Sequence, residues 1–215
     1  MKNSKKPSSK RPLFSIVIVN WNKKEDTLFC IEHVRKLDYP NFEIIVVDNG
    51  SIDGSNKMLK DIDDIKYVRL DTNTGFTGGH IAGLNASSGE YIVLLNNDAV
   101  IKHDYLNIAL KHFEDSSDIG AVGGRAYWWD EENPVLSEKG PYYSYQSINP
   151  ITAEAITHQD DGGVHHEVNN VSGSCAVVSR EAVEKVGYLY DDFFAYYEET
   201  DLFARMKRAG LKVVY

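Results

Sequence analysis

Cysteine is nearly missing from this sequence. Only Cys30 and Cys175 occur, far apart and in no CxxC pair. That excludes a disulfide framework and a thiolate zinc site, and it suits a reducing cytosol. Long apolar runs are missing too. "IIVV" and "IVLL" fall far short of the roughly 20 residues of a membrane-spanning helix, and no secretory h-region follows the start. Neither GxGxxG nor the P-loop pattern occurs, so neither a dinucleotide fold nor an ATPase is indicated. Positive charge is scarce as well. The net charge is −9, and the first twelve residues carry five positive charges and no acid, which leaves −14 on the rest. Such a body excludes a general nucleic-acid surface. Residues 1–12 are expected to form a disordered, solvated basic tail, with weak docking to anionic lipid headgroups as the sharper reading. The expected location is cytoplasmic, at most peripheral at the inner face of a membrane.

What the chain has is a repeated plan. "LFSIVIVN" (13–20), "FEIIVVDNG" (42–50) and "YIVLLNND" (91–98) are apolar runs that end in polar residues. Runs this apolar predict strands covered on both faces, as in a parallel sheet. Helical spacing over 25–37, 79–87 and 104–114 separates them, so the class is α/β with right-handed crossovers. In such sheets ligands sit beyond the carboxyl ends of the strands. All three runs put their polar residues there: Asn20-Trp21-Asn22, Asp48-Asn49-Gly50 and Asn96-Asn97-Asp98. Residues 129–168 break the pattern and read as a long insertion with a short β-ribbon. Regularity returns with a strand at 171–180, a helix from about 180 to 186, a helix from Glu198 to a C-capping Gly210, and a final strand in "LKVVY".

Four clusters bear chemistry. Asp98 at a sheet mouth can bind a hard divalent cation, and Asn96 can add a neutral oxygen or bind a sugar hydroxyl. The same triplet can equally cap a βα turn. In "DNGSIDGS" (48–55), Asp53 and Gly54 fit an Asx-turn at a helix start. Asp48 comes too early for that turn and fits a base or ribose contact. The glycines of "NTGFTGGHIAGLNASSG" (73–89) allow close backbone approach, either to a ligand or between helix and sheet. In "YYEETD" (196–201), Asp201 and Arg205 are spaced for an i,i+4 pair, and Glu199 is the surplus carboxylate. Ionised at neutral pH, it can take a proton from a hydroxyl nucleophile. Of the preceding aromatics Phe193, Phe194, Tyr196 and Tyr197, at least two are expected in the core and the others along a sugar site.

Together, "SIVIVNWN", "VVDNGSIDGS", "NTGFTGGHIAGLNASSGEYIVLLNND", "VSGSCAVVSREAVEKVG" and "FFAYYEETDLFARMKRAG" resemble, in order and spacing, family 2 glycosyltransferases of the bacterial rhamnosyltransferase-like and polysaccharide-assembly kind. The resemblance covers about residues 13–215 and is weakest over 129–168. It implies a GT-A fold: a Rossmann-like, mostly parallel sheet flanked by helices, with a small acceptor-side β-ribbon region. The implied activity is inverting transfer of a sugar from a nucleoside diphosphate sugar to a hydroxyl of a glycan or lipid-linked acceptor. UDP- and dTDP-sugars are expected ahead of GDP-sugars. Glu199 takes the catalytic-base position, and Asp98 the metal position, for Mg²⁺ or Mn²⁺. Asn20, Asn22, Asp48, Asn49, Gly75, Gly79, Asn96 and Asn97 fall at nucleotide-sugar-binding positions. The chain departs from the pattern twice. Asn96 stands where many relatives have Asp, and the chain ends before a downstream histidine that often completes the metal site, so a C-terminally truncated domain is expected. The competing reading is an inactive nucleotide-sugar-binding module or partner subunit.

Overall fold

The computed structural model describes residues 11–127, 141–143, 145–148, 155–158 and 167–215. In chain order the elements are β1 (Phe14–Asn20), α1 (Lys24–Val34), β2 (Phe42–Asn49), α2 (Ser55–Leu59), β3 (Ile65–Leu70), α3 (Gly75–Ala86), β4 (Tyr91–Asn96), α4 (Tyr105–Asp115) and β5 (Ile119–Gly123). Next come the short strands β6 (Ala126–Tyr127), β7 (Pro141–Tyr143), β8 (Tyr145–Ile148), β9 (Ala155–His158) and β10 (Glu167–Val168). The chain closes with β11 (Cys175–Ser179), α5 (Arg180–Val186), α6 (Glu198–Arg208) and β12 (Lys212–Val214). Eight strands form one sheet in the order β10-β12-β5-β11-β4-β1-β2-β3. The β3-β2-β1-β4 half is parallel, and β11 enters antiparallel between β4 and β5. The expected α/β architecture is therefore present. So is the expected ribbon region, as the antiparallel pairs β6-β7 and β8-β9.

The apolar runs are explained by burial on both faces. Alternate residues of the central strands enter two cores. Ile16, Ile18, Val46, Val93 and Leu95 pack with Ile31, Val34, Leu106 and Phe113 of α1 and α4. Val17, Ile45, Val47, Ile92 and Leu94 pack with Ala182, Leu202, Phe203 and Met206 of α5 and α6. With no face in water, such strands need no polar alternation. The i,i+4 pair forms as expected: Arg205 Nε donates to Asp201 at 2.8 Å. Arg205 also donates to the carbonyls of Val186, Gly187 and Tyr188, joining α6 to the segment after α5.

Three expectations are adjusted. Strand β3 is a half-exposed edge whose mixed pattern gave no sequence signal. The helix expected over 79–87 starts at Gly75. Its glycines mask it, since glycine disfavours helix by about 1 kcal/mol relative to alanine. Of the basic tail, residues 1–10 lie outside the described residues, whereas Arg11 and Pro12 dock on the body. The Asn41 amide donates to the Arg11 carbonyl and the Tyr39 hydroxyl to the Pro12 carbonyl.

The α3 glycines set how close the helix lies to the sheet. A Cβ on Gly83 would sit 2.2 Å from Val17 Cγ1, and one on Gly79 would sit 2.5 Å from Val19 Cγ1. Gly83→Ala is expected to destabilise the fold by about 1–3 kcal/mol through overpacking, read as a lower urea midpoint. Adding Val17→Ala should recover part of the loss. An unchanged midpoint in the single variant would show that α3 can move outward freely.

Candidate functional site

Strand register brings the polar ends together. Asn20 lies beside Asp48, and Val19 beside Asn96, so β1, β2 and β4 finish at one rim. A cleft of about 300 Å³ opens there, at the lower end of small-molecule sites. Its wall is made by Val19, Trp21, Asn49, Asn73, Gly75, Phe76, His80, Leu95, Asn96, Asn97, Asp98 and Phe194.

Half-buried Asn97 and the buried polar side chains beneath the rim form a chain of hydrogen bonds. Asn97 Nδ2 donates to Thr27 Oγ1 (3.0 Å), Thr27 Oγ1 to Asn20 Oδ1 (2.8 Å), and Asn20 Nδ2 to Ser51 Oγ (3.0 Å). Ser51 N donates to Asp48 Oδ1 at 3.1 Å. The other Asp48 oxygen accepts from Tyr67 Oη at 3.0 Å and is paired with Arg69. Asp48 is thus wholly buried and electrically compensated. Asn22, with φ 56°, spans the β1 and β2 loops: its amide donates to Ser51 Oγ and its Oδ1 accepts from Ile52 N. As expected for the Asx-turn, Ser55 N donates to Asp53 Oδ1 at 3.0 Å ahead of α2.

Asn49 clamps the start of α3. Its Nδ2 donates to Asn73 Oδ1 and to the Gly75 carbonyl, and its Oδ1 accepts from Thr74 N and Oγ1. Gly75 has φ +74°, and a Cβ there would lie 2.0 Å from the Phe194 carbonyl oxygen. No other residue fits. Gly79 faces Val19 across the helix–sheet contact rather than the cleft, so its role in the structure is close packing.

Asp98 is exposed on the cleft wall, and among the described residues no donor engages its carboxylate. Asn96 and Asn97 flank it. Among the described residues no group of three His, Cys, Asp or Glu could cage a metal. One open carboxylate with neighbouring amides fits a hard cation that takes its remaining ligands from substrate phosphates and water.

Glu199 approaches from the other end of the chain. Because β11 runs antiparallel, its first residue, Cys175, pairs with Leu95 near the end of β4, and Asn96 N donates to the Ser174 carbonyl. Gly173 therefore lies at the rim. Glu199 Cδ and Phe76 Cζ flank the same point beside it, each 3.5 Å from where a Gly173 Cβ would be. Phe76 is on the cleft wall with Asp98, whereas Glu199 does not line the cleft and lies beside Phe76 at its edge. Tyr196 and Tyr197, at φ 72° and 69°, hold the start of α6 in place. Consecutive left-handed non-glycine residues are strained, and such strain gathers at functional sites. None of the four aromatics before Glu198 is buried, against the expectation that two would be core; Phe194 forms part of the cleft wall. The sequence reading also missed Asn73, Phe76 and His80. Phe76 and His80 are four apart, a helical spacing hidden by the glycines.

Residues 15–187 match the model of glycosyl transferase family 2. The chain belongs to glycosyl transferase family 2. It is 26% identical over 153 residues to glycosyltransferase GlyG of Streptococcus pneumoniae, covering 69% of this chain and 48% of that protein. It is 28% identical over 208 residues to the low-salt glycan biosynthesis hexosyltransferase Agl10 of Haloferax volcanii, covering 93% and 63%. This family 2 chain spans about half the length of the curated relatives it matches. A mannosyltransferase from Pyrobaculum calidifontis, solved with GDP-Man and Mn²⁺, superposes with a TM-score of 0.65 at 17% identity, covering 95% of this chain and 55% of that one. S. aureus TarS in complex with UDP-GlcNAc gives 0.64 at 14%, covering 93% and 55%. These likenesses establish the GT-A fold.

The environment of Glu199 corrects one expectation. Burial, then the charge of neighbouring Glu198, pushes its carboxyl up from 4.5 to about 7, so it is poised between acid and base near neutrality. Burial raises Glu198 as well. Between 4.5 and about 7 the folded chain keeps a proton that the unfolded chain has released, so stability falls as pH rises through that window. Glu199→Gln removes the penalty. Its Tm is expected to exceed that of the wild type by roughly a few degrees at pH 8, with the gap closing toward pH 4.5. A gap that does not change with pH would contradict this account.

Proposed function

We propose that this chain is the catalytic domain of an inverting glycosyltransferase. It would move a sugar from a nucleoside diphosphate sugar to a hydroxyl of a glycan or lipid-linked acceptor during cell-surface polysaccharide or glycan assembly. The observation that carries the reading is Asp98 on the wall of a cleft at the carboxyl rim of the sheet, with Glu199 beside Phe76 of the same wall.

Asp98, with Asn96 and Asn97 beside it, would hold a divalent cation, Mg²⁺ or Mn²⁺, that supplies positive charge to the departing diphosphate. Glu199 would take the proton of the acceptor hydroxyl as its oxygen attacks the anomeric carbon from the face opposite the diphosphate. That single in-line displacement inverts the configuration. A carboxyl near 7 suits the task, since a general base works best close to the operating pH. Trp21, Phe76 and Phe194 give the cleft apolar walls that exclude water. Asn49 would orient the start of α3 against the nucleotide. Asp48, paired with Arg69 and hydrogen-bonded by Tyr67, would shape the base pocket from beneath. UDP- and dTDP-sugars are the preferred donors in this reading, with the basic leader resting on an anionic membrane surface. Among the described residues no helix is long and apolar enough to cross a membrane.

The test is a thermal-shift screen with UDP, dTDP and GDP, each with and without Mn²⁺. A metal-dependent rise in Tm is expected for at least one nucleotide by mass action, and it should be lost in Asp98→Ala. Glu199→Gln should keep that rise while donor turnover, read as nucleoside diphosphate release, drops about 10²–10⁴-fold. Binding without turnover in the wild-type chain would mark a nucleotide-sugar-binding module instead. Metal-dependent binding retained in Asp98→Ala would refute the metal assignment.

A further inference from the structure

His80 lies on α3, one turn beyond Phe76, on the cleft wall. It is wholly buried, and neither ring nitrogen has a hydrogen-bond partner. Asn20, Asp48 and Asn49 at the same rim are paired, whereas on α3 Thr77 Oγ1 is buried without a partner as well. A neutral imidazole carries one N–H and one lone pair, whichever the tautomer. His80 therefore leaves both a donor and an acceptor unmet. Buried polar groups are nearly always satisfied, and one that is not calls for an explanation such as an absent partner. Burial holds the ring neutral, pushing it down to about 3.

The position identifies the partner. On the glycosyltransferase reading, from which this inference starts, the transferred sugar lies between the leaving diphosphate at Asp98 and the base Glu199. The Phe76 ring is the landmark shared by the two. It is on the cleft wall and its edge flanks the point beside Gly173 that Glu199 also flanks. The His80 ring packs on Phe76 with centroids 4.2 Å apart. A hydroxyl both gives and accepts a hydrogen bond and matches a neutral imidazole. A phosphate only accepts, and it favours the imidazolium that this site disfavours. We propose that His80 is a specificity-determining residue that recognises a hydroxyl of the donor sugar. Contact requires a side chain of that wall to move on sugar binding, because the ring is wholly buried.

The experiment compares UDP with the tightest-binding member of a panel of UDP-, dTDP- and GDP-sugars, by calorimetry with Mg²⁺. His80→Phe keeps the ring and removes the hydrogen bonds, and His80→Gln keeps a donor and an acceptor. The expected result is unchanged UDP affinity in both variants and about tenfold weaker sugar-nucleotide binding in His80→Phe, with His80→Gln between it and the wild type. Should His80→Phe fail to fold, ¹⁵N shifts of the His80 ring in the wild-type chain decide the matter. They should move with the sugar nucleotide and stay still with UDP. Equal affinities in wild type and His80→Phe, or ring shifts indifferent to the sugar, would make His80 a packing residue and overturn the proposal. A wild-type chain that binds no member of the panel would instead bring down the glycosyltransferase reading, and this inference with it.

Discussion

The central strands leave no face to water. β1, β2 and β4 are covered on one side by α1 and α4 and on the other by α3, α5 and α6. A polar side chain inside such a strand would need a buried partner, so the polar residues gather where the strands stop. The parallel register then carries Asn20, Asp48 and Asn96 to the same rim. The cleft is in this sense a by-product of burial, and its chemistry follows from which side chains that rim receives.

Three carboxylates near the rim show how environment divides the work. Asp48 is buried and neutralised by Arg69, so it acts as structure. Asp98 is exposed, and among the described residues no donor engages it, so its oxygens stay open to a ligand from solvent. Glu199 is partly buried beside a second acid and is raised toward neutrality, which is what a proton acceptor requires. The chain of hydrogen bonds from Asn97 through Thr27, Asn20 and Ser51 to Asp48 ties the end of β4 to the end of β2. Its inner members Thr27, Asn20, Ser51 and Asp48 are buried, so movement there is resisted by hydrogen bonds that have no water to replace them.

Closeness of α3 to the sheet is a second constraint. Gly79 and Gly83 lie where any side chain would strike Val19 or Val17, and Gly75 where one would strike the Phe194 backbone. The helix is held near enough for Phe76 and His80 to join the wall that Asp98 also lines. The same glycines that hid this helix from a pattern reading make its position possible. Low intrinsic helix propensity is overcome here by packing and by the Asn49 clamp at its first turn.

Much of the framework was legible in the chain itself. Unbroken runs such as "IVIV" and "IVLL" specify strands buried on both sides, and polar residues closing those runs mark the rim. These are local patterns, and local patterns survive without coordinates. The environments of individual side chains do not. Arg69 finds Asp48 through the pairing of β3 with β2, and Gly173 reaches Phe76 because β11 inserts backwards next to β4. Glu199 is raised by burial and then by the charge of its neighbour Glu198. Each depends on contacts between residues distant in sequence. Whether a carboxylate ends up paired, open or desolvated is decided by those contacts, because charge responds to everything within a few ångströms, wherever in the chain it comes from.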